Sequence, residues 1–503
     1  MTLHISKSKY LNGLQCPKLI WTHFNNRELI PEPDAGQMHI FNTGHEVGDL
    51  AKLLYPTGIE VPMDFKDLAA TDRATSELLN RPMAERVPIF EASFLIDNRY
   101  CRVDVLVPVP DEPDLPPNRW DLVEVKSSTR VKEINVKDVA FQLDALTRAG
   151  VNLRQLYLMH VNTSYVLGDE FDVHEFFHLE DITKRARGIL EYVPRTVDKL
   201  LSVISGPDPD TPIGRRCTSP YTCPLIPHCW SVLPENNVTD FYYSGARAFQ
   251  WLDEGLFNLT DVPDDRLGHQ QKIQKQTVLA NKAHTDPKQL RRWLDELSYP
   301  LYHLDFETMN PALPPFRGVR PYQRMPFQFS LHIQDSPGSE PRHVEFLAQQ
   351  AGDPRPDLLA ALHAIGDEGT VLAWYMSFEK GVLDDLAELY PGEAEWLSEV
   401  NERMVDLMVP FRSFWYHDPA QKGSCSLKAV LPALTNLDYD TLTVADGNHA
   451  ARAYAEAVYG NKTSLDKDQV FADLLAYCRL DTLAMVEILR VVEAAAGPTD
   501  AKG

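Results

Sequence analysis

Two predicted neighbouring strands carry charged residues that could do chemistry together. Asp104 lies in RVDVLV at 102–107, and Glu124 follows twenty residues later in DLVEVKSS at 121–128, with Lys126 two positions further on. Side chains alternate between the faces of a strand, so Glu124 and Lys126 share a face, and a hairpin would bring Asp104 beside them. Two carboxylates can hold Mg²⁺, and a lysine can stabilise charge on a phosphate. The alternative is a half-exposed strand with a surface ion pair, which contributes about 1 kcal/mol at most.

A second set of acidic residues is spread over the C-terminal part of the chain. YHLDFET reads as a strand with Asp305 and Glu307 on one face, and LLAYCRLDTLAMVEIL reads as a helix with Tyr477 and Asp481 one turn apart. Glu379 lies where a predicted strand, VLAWYM, runs into a helix. Carboxylates that are held together repel one another unless cations neutralise them. Two Mg²⁺ ions about 4 Å apart would do so and would clamp the attacking and leaving oxygens of a phosphodiester.

Four of the seven cysteines form a third group. Cys217, Cys223 and Cys229 lie within thirteen residues, and Cys16 precedes a proline that suits the first position of a helix. The number of cysteines is odd and nothing in the sequence suggests secretion, which argues against a disulfide framework. The regular spacing therefore indicates a metal. Four thiolates suit zinc, and buried free thiols are a further alternative.

The first set resembles the PD-(D/E)XK nucleases of the RecB type. That family has an Asp, then Glu-x-Lys on the next strand, then a helix with a Gln, which Gln142 in AFQLDAL supplies. Glu91 in IFEASF matches an acidic residue one strand before the Asp, and His45 in GHEVGD is either a further metal ligand or an ordinary surface residue. The resemblance implies Mg²⁺ or Mn²⁺ ligands at Glu91, Asp104 and Glu124, and catalytic roles for Lys126 and Gln142.

The second set resembles the DEDD exonucleases, the DnaQ-like branch of the RNase H fold. DFET matches their first motif, and YCRLD matches the third motif in its Tyr form. The second motif is usually Asn-x-x-Phe-Asp, but this chain has YMSFE, so Glu379 replaces Asp, and Asp406 in RMVDLM is the alternative acid. An inactive domain retained for binding is the competing interpretation. The resemblance implies that Tyr477 positions the attacking water and that the metal ligands are Asp305, Glu307, Glu379 and Asp481.

The cysteines resemble those of the iron–sulfur nucleases of the RecB class, which include AddB and the CRISPR adaptation nucleases. CPKLIW around Cys16 and CPLIPHCW around Cys223 and Cys229 are similar to segments of that class, while Cys217 is farther from Cys223 than is usual there. The resemblance implies a [4Fe–4S] cluster that ties the N-terminal segment to the end of the domain. Structural Zn²⁺ is the runner-up, although zinc sites usually contain a close C-x2–4-C pair that this sequence lacks.

Two α/β domains are needed to position these residues. The pattern at 88–127 predicts three strands, that at 180–204 predicts one longer helix, and a new α/β pattern starts near residue 296. The predicted organisation comprises a PD-(D/E)XK restriction-endonuclease-like domain with the cysteine cluster at 1–235, a helical connector at 236–295, an RNase H-like domain at 296–496 and a mobile tail at 497–503.

Composition and charge limit the function further. The 503 residues are 44% apolar and 24% charged, which is ordinary for a soluble protein. A net charge of −23 argues against a general nucleic-acid-binding surface but does not exclude a nuclease built on carboxylates. Neither a signal peptide nor an apolar run long enough to span a bilayer is found, so we expect a cytoplasmic protein without a membrane partner.

The whole chain resembles a bacterial family that joins an iron–sulfur RecB-like nuclease to an RNase H-like domain. The resemblance implies a metal-dependent nuclease, an exonuclease rather than an endonuclease, that acts on DNA rather than RNA in repair or in defence against foreign DNA. The alternative is a nucleic-acid-binding or scaffold protein in which one or both sites are inactive.

Overall fold

The computed structural model of the chain describes residues 3–64, 66–112, 116–460 and 464–497. Both strands and helices are abundant, so the predicted α/β class is confirmed. Among the described residues, no helix combines the length and the apolarity needed to cross a membrane. The predicted tail, apart from Gly497, lies outside the described residues.

The chain divides into two compact units that are not simply consecutive. The first comprises the residues up to Val232 together with Ala312–Tyr322, and the second comprises Leu233–Pro311 together with the residues from Gln323 onward. The predicted connector at 236–295 therefore falls within the second unit, where it forms three helices and several short 3-10 turns.

One mixed sheet forms the centre of the first unit. Its strands are β1 (Ile5–Ser6), β2 (Ile59–Glu60), β3 (Ile89–Ile96), β4 (Arg99–Pro108), β5 (Arg119–Lys126), β6 (Asn152–Val161) and β7 (Phe177–Asp181). The spatial order is β2-β3-β4-β5-β6-β7, and β1 pairs with β4 outside this order. β5 and β6 are parallel, whereas β3, β4 and β5 are successively antiparallel.

The hairpin of β4 and β5 sets the position of the first acidic pair. Val105 pairs with Val123, and continuing this register by one residue places Asp104 opposite Glu124. β5 is a central strand, and Val123 and Glu124, which point to opposite faces, are each at most 1% exposed. The alternative of a half-exposed strand with a surface ion pair is therefore wrong.

Nine helices are described in the first unit, and several of them pack on this sheet. They are α1 (Lys7–Gln15), α2 (Pro17–Asn25), α3 (Ala35–Lys52), α4 (Leu68–Leu79), α5 (Glu133–Arg148), α6 (Val173–Phe176), α7 (Thr183–Ile189), α8 (Tyr192–Ser205) and α9 (Ile226–Cys229). α5 is buried along most of its length, and Phe141 of this helix stacks on Tyr10 of α1 with 4.7 Å between ring centroids. This packing brings α1 and α5 to the same region as the β4–β5 hairpin.

The single helix predicted at 180–204 is wrong, because the segment ends one strand and then forms two helices. β7 extends to Asp181, and α7 ends at Ile189 before α8 begins at Tyr192. Pro194 lies in the first turn of α8. Proline lacks an amide hydrogen and its ring clashes with the carbonyl four residues earlier, so it is tolerated in a first turn but not within a continuous helix.

The second unit contains a five-stranded sheet and a separate two-stranded one. The strands are β8 (His284–Thr285), β9 (Leu301–Met309), β10 (Met325–Gln334), β11 (Arg342–Leu347), β12 (Thr370–Ala373), β13 (Met404–Asp406) and β14 (Tyr416–His417). The larger sheet has the order β11-β10-β9-β12-β13, and β14 pairs with β8. β9, β10 and β11 are successively antiparallel, whereas β9, β12 and β13 are parallel.

Ten helices are described in this unit, and the last one matters most for the site. They are α10 (Ala246–Asp253), α11 (His269–Ala280), α12 (Pro287–Leu294), α13 (Arg355–Leu362), α14 (Ser377–Leu389), α15 (Ala394–Glu402), α16 (Val409–Arg412), α17 (Leu427–Leu434), α18 (Gly447–Tyr459) and α19 (Lys467–Ala496). α19 packs on β9 and β10. Its buried residues recur at helical spacing, from Leu474 and Cys478 to Asp481 and Met485, so Asp481 faces the sheet.

Candidate functional site

Three carboxylates converge where α19 crosses β9. Asp305 and Glu307 alternate onto one face of β9, and Asp481 faces them from α19. One oxygen from each of the three side chains lies within 4.8 Å of the others. Oxygen atoms at this spacing can share a divalent cation. The structure thus brings together three of the four acids predicted for the second site.

Burial and mutual repulsion keep these acids partly protonated when no cation is present. Burial, Asp481 and Glu307 hold the pKa of Asp305 well above its usual range. Burial and Asp481 raise the pKa of Glu307 to about 8, and burial raises the pKa of Asp481 to about 7. Such a group of buried acids is costly in its charged form, and a bound cation would remove that cost.

Glu379 and Asp406 lie near this cluster but have different environments. Glu379, in the first turn of α14, is 2% exposed, and its Oε2 atom has no hydrogen-bond partner. Burial raises the pKa of Glu379 to about 8. Asp406 instead accepts hydrogen bonds from the backbone amides of Tyr375 at 3.1 Å and Met408 at 2.9 Å, and it pairs with Arg412. Asp406 therefore holds the end of β13, while the unpaired oxygen of Glu379 is available to a cation or to water.

Two tyrosines and a lysine complete the surroundings of Asp481. The Tyr439 hydroxyl donates to Asp481 Oδ1 at 2.5 Å, and Tyr477, one turn before Asp481 on α19, is buried beside it. Lys428 Nζ lies 5.4 Å from the ring centroid of Tyr439 and 5.2 Å from that of Tyr477. The sequence motifs identified Tyr477 but neither Tyr439 nor Lys428. A charged residue within the apolar helix LKAVLPAL was the one available signal for Lys428.

The raised pKa values predict how stability depends on pH in the cation-free protein. In the unfolded chain, the side chains of Glu307, Glu379 and Asp481 would lose their protons near pH 4. In the folded chain they keep them to about pH 7–8. The free energy of unfolding therefore falls as the pH rises from about 4 to about 8. We expect a loss of about 2–3 kcal/mol between pH 7 and pH 8.5, which lies above pH ~6.5, where histidines of the unfolded chain titrate and the opposite contribution of His303 and His332, whose folded-state pKa values are lowered, ends.

Urea unfolding in EDTA and in Mn²⁺ would measure this effect. We expect the decline with pH in EDTA and little decline in Mn²⁺, because the cation replaces the protons. Equal stability at both pH values in EDTA would contradict the prediction.

The first acidic set forms a network with lysines rather than an open carboxylate cluster. Lys126 Nζ donates to Glu124 Oε1 and, at 3.0 Å, to Asp138 Oδ2 of α5. Gln142 Nε2 donates to Glu124 Oε2 at 2.7 Å and to Asp138 Oδ1 at 3.1 Å. Asp104 Oδ2 accepts from the backbone amide of Val125 at 2.7 Å. Four predicted residues, Asp104, Glu124, Lys126 and Gln142, are therefore brought together.

Lys7 of α1 is the most important residue of this network that the sequence did not indicate. Its Nζ lies 3.0 and 3.3 Å from the two Glu124 oxygens and 3.6 Å from Asp104 Oδ1, the position in which a cation bridging both acids would lie. Burial raises the pKa of Asp104 to about 6, while Lys126 and Lys7 outweigh burial and hold the pKa of Glu124 below its usual range. Asp138 was also missed, although it lies one turn before Gln142 on the same face of α5.

Two further candidates lie outside the first network. Glu91 has a left-handed φ of 55° that interrupts the pairing of β3 with β4, and its Oε2 atom pairs with Arg102 at 3.2 Å. His45 is exposed on α3. Glu91 is therefore tied to an arginine rather than to Asp104 and Glu124, and His45 has the environment of an ordinary surface residue.

All four cysteines of the third group line one small pocket. Cys16 directly precedes α2, and the segment that follows α8 contributes Cys217, Cys223 and Cys229. Gln15 fixes this arrangement, because its side-chain amide donates to the carbonyl oxygens of Arg216 at 2.8 Å and Tyr221 at 2.7 Å. The structure thus brings together cysteines that are two hundred residues apart in sequence.

The spacing of the sulfur atoms bears on which metal fits. A tetrahedral zinc site with Zn–S bonds of about 2.3 Å places its sulfur atoms about 3.8 Å apart. Across the part of the chain that the structure describes, no three of these sulfur atoms lie within 4.8 Å of one another. A [4Fe–4S] cubane binds its thiolates on four separate irons and so holds them farther apart. The [4Fe–4S] cluster and its runner-up, structural Zn²⁺, both stay predictions for this pocket.

Iron analysis would test the cysteine pocket. We expect anaerobically purified protein to be brown, to absorb near ~400 nm and to contain about four irons per chain. Cys223→Ala should lower both the iron content and the stability, because metal binding is coupled to folding. Cys425→Ala removes a thiol of the second unit and is the control, and it should leave the iron content unchanged. Colourless protein with one tightly held zinc would contradict the prediction.

The arrangement in the second unit is that of a carboxylate centre able to bind divalent cations. Residues 302–426 match a family profile described as "Domain of unknown function (DUF2779)". The matched span covers less than half of the chain and contains Asp305, Glu307 and Glu379 but ends before Tyr477 and Asp481. No curated protein matches the chain.

Proposed function

We propose that the protein is a metal-dependent nuclease that hydrolyses phosphodiester bonds of nucleic acid, with DNA as the substrate. The convergence of Asp305, Glu307 and Asp481 carries this proposal. The buried Glu307 and Asp481 and the half-buried Asp305, all with raised pKa values, destabilise the folded chain unless a cation binds, so a purely structural role would not explain them.

The topology of the second unit supports a DEDD-type exonuclease. Its sheet has three antiparallel strands continued by two parallel ones, and the first strand, β9, is central. This order, with a C-terminal helix packed on the first strand, is what the resemblance to the RNase H fold implies. The positions of Asp305 and Glu307 on β9 and of Asp481 on α19 agree with it.

The first unit supports a PD-(D/E)XK centre by its own geometry. Asp104 and Glu124 lie on adjacent antiparallel strands, and α5 presents Gln142 to Glu124. Asp104 and Glu124 would hold the cation between their oxygens, at the position that the Lys7 ammonium would have to leave. Lys126 lies next to that position and would face a phosphate bound there.

In each centre, a bound cation and nearby side chains would have different roles in the hydrolysis. A bound Mg²⁺ or Mn²⁺ would polarise the phosphate and lower the pKa of a coordinated water. In the second unit, Tyr477 would orient the attacking water from beside Asp481, and Lys428 would balance negative charge near Glu307. In the first unit, Lys126 would stabilise charge at the phosphorus, and Gln142 would orient Glu124.

Two observations favour the alternative, a nucleic-acid-binding protein with inactive sites. Glu379 is not among the acids within 4.8 Å of one another, so the longer side chain of the second motif does not complete a four-acid centre in this structure. In the first unit, Lys7 occupies the position between Asp104 and Glu124. Under this alternative the protein would bind nucleic acid without cleaving it.

A cleavage assay decides between the two functions. Purified full-length protein would be incubated with end-labelled single- and double-stranded DNA and RNA in Mg²⁺, Mn²⁺ or EDTA. We expect cation-dependent cleavage of DNA and none in EDTA. Binding without cleavage under all conditions would favour the alternative, and cleavage in EDTA would exclude both proposed centres.

A further inference from the structure

A basic pocket lies directly after the first catalytic strand. We propose that this pocket binds a phosphate group of the nucleic acid strand that enters the first-unit centre. The inference rests on the nuclease function proposed above and specifies where the substrate is held. The residues that line the pocket are Ser127, Ser128, Thr129, Arg130, Lys132 and Tyr322.

The chemistry of the lining suits an oxyanion. The hydroxyls of Ser127 and Thr129, a guanidinium and an ammonium can donate into the pocket, and no carboxylate is among the lining residues. Hydroxyls and cationic side chains are the usual protein contacts of phosphate oxygens. A basic lining without acids is unusual in a chain whose net charge is −23.

Both cations of the pocket are available to a ligand. Arg130 and Lys132 are exposed, and neither forms an ion pair with any acid that the structure describes. The nearest acid in sequence, Glu133, is paired with Arg185 at 2.6 Å. Lys126 differs from both, because it is bound to Glu124 and Asp138. The two lysines therefore have separate roles: Lys126 belongs to the catalytic network, and Lys132 would contact the bound nucleic acid.

Hydrogen bonds to three backbone carbonyls hold the loop in place before any ligand binds. The Ser128 carbonyl accepts from the amide of Val161 at 3.1 Å, and the Ser128 hydroxyl donates to the Arg130 carbonyl at 3.1 Å. The Tyr322 hydroxyl donates to the Ser127 carbonyl. A loop fixed by its own contacts loses less entropy on binding, which favours affinity.

The position and the size of the pocket are consistent with a nucleic acid strand that runs from the pocket to the first-unit centre. Ser127 directly follows Lys126, and the pocket is an open depression of about 490 Å³. The pocket begins one residue beyond Lys126 in the chain, and Asp104, Glu124 and Lys126 are not among its lining residues, so a bound phosphate would belong to a nucleotide next to the one that is cleaved. The pocket can hold either a terminal phosphate or an internal one of the backbone, which share the same chemistry.

Fluorescence anisotropy with short labelled DNA tests the pocket. Full-length protein in Ca²⁺ would be titrated with strands bearing a 5′-phosphate, a 3′-phosphate or neither, at several salt concentrations. The variant Arg130→Ala/Lys132→Ala removes both cations. The matched control Lys137→Ala/Lys184→Ala removes the same charge from exposed positions on α5 and α7, outside the pocket.

We expect the pocket variant to bind about tenfold more weakly than the control and to lower the slope of log K against log salt by about 1–2. If the ligand is a terminal phosphate, its removal from the DNA will weaken wild type but not the pocket variant. If the ligand is an internal phosphate of the backbone, the pocket substitutions will weaken the binding of all three kinds of DNA strand equally.

Equal affinities of the pocket and control variants would overturn the inference. The outcome for the proposed function is separate. If wild type cleaves DNA and the pocket variant binds it with unchanged affinity, only the phosphate-binding role of the pocket is excluded. If binding depends on the pocket but no DNA is cleaved, the nuclease function is excluded and the role of the pocket is supported. Both pairs of substituted residues are exposed, so thermal unfolding should be unchanged in both variants.

Discussion

Asp481→Asn should abolish cation-dependent cleavage at the second-unit centre and, at the same time, stabilise the cation-free protein. The substitution removes one of the three ligands that lie within 4.8 Å of one another, so we expect the cleavage rate to fall about a thousandfold or more. It also removes a buried acid that repels Asp305 and Glu307. The free energy of unfolding in EDTA at pH 8 should therefore rise by about 1 kcal/mol or more.

The two effects together separate a metal centre from an ordinary structural cluster. The asparagine keeps a side-chain oxygen that can accept the hydrogen bond from the Tyr439 hydroxyl, so the local packing should be preserved. Cleavage would be measured in a Lys126→Met background that disables the other centre, and stability would be measured by urea unfolding with and without Mn²⁺.

Asp473→Asn is the matched control for this experiment. Asp473 lies on the same helix, α19, where it accepts from Gln469 at 2.8 Å, and it is not among the converging acids. We expect no change in cleavage and no gain of stability. An Asp481→Asn variant that retains cleavage, or that is destabilised in EDTA, would exclude the second-unit metal centre.

Lys126→Met should abolish cleavage at the first-unit centre and destabilise that unit. Methionine keeps most of the side-chain volume but removes the charge, so Asp138 loses its cation and Glu124 keeps only Lys7. Breaking a fully buried pair costs about 3–5 kcal/mol, and we expect about 1–3 kcal/mol here because the Lys126 side chain retains some exposure and Lys7 remains. The rate should fall about a hundredfold or more, since Lys126 would face the phosphate.

The measurement uses an Asp481→Asn background, so that the remaining cleavage belongs to the first unit. Lys137→Met, an exposed position on α5, is the control and should be neutral in both cleavage and stability. Full cleavage by Lys126→Met in that background would show that the first-unit network is structural and not catalytic.

Five of the seven predicted acids could be placed from the sequence, because local periodicity determines where they point, whereas Glu91 and Glu379 lie apart from the acids they were predicted to join. Alternation along β9 and helical spacing along α19 put Asp305, Glu307 and Asp481 on the facing sides of two elements. For the first set, the hairpin register of β4 and β5 followed from their adjacency in the chain. Periodicity within an element is a property of the backbone, so it survives in the folded protein.

The partners of these acids could not be placed, because they come from elements distant in sequence. Lys7 reaches Glu124 from α1, and Tyr439 reaches Asp481 from a segment between α17 and α18. No local pattern marks a lysine or a tyrosine for such a contact. The burial of β5 on both faces was missed for the same reason, since it depends on helices that cover the sheet from other parts of the chain.

The segment Ala312–Tyr322 makes the first unit discontinuous in the chain. Ala312 is buried among residues of the first unit such as Val105 and Val123, and Leu313 and Tyr322 pack against the same cluster. During synthesis, the first unit therefore cannot complete this part of its core until β9 of the second unit has already left the ribosome. Domains that are continuous in sequence can fold one after the other as they emerge. Here, the first unit cannot complete its core before synthesis of the second unit has begun.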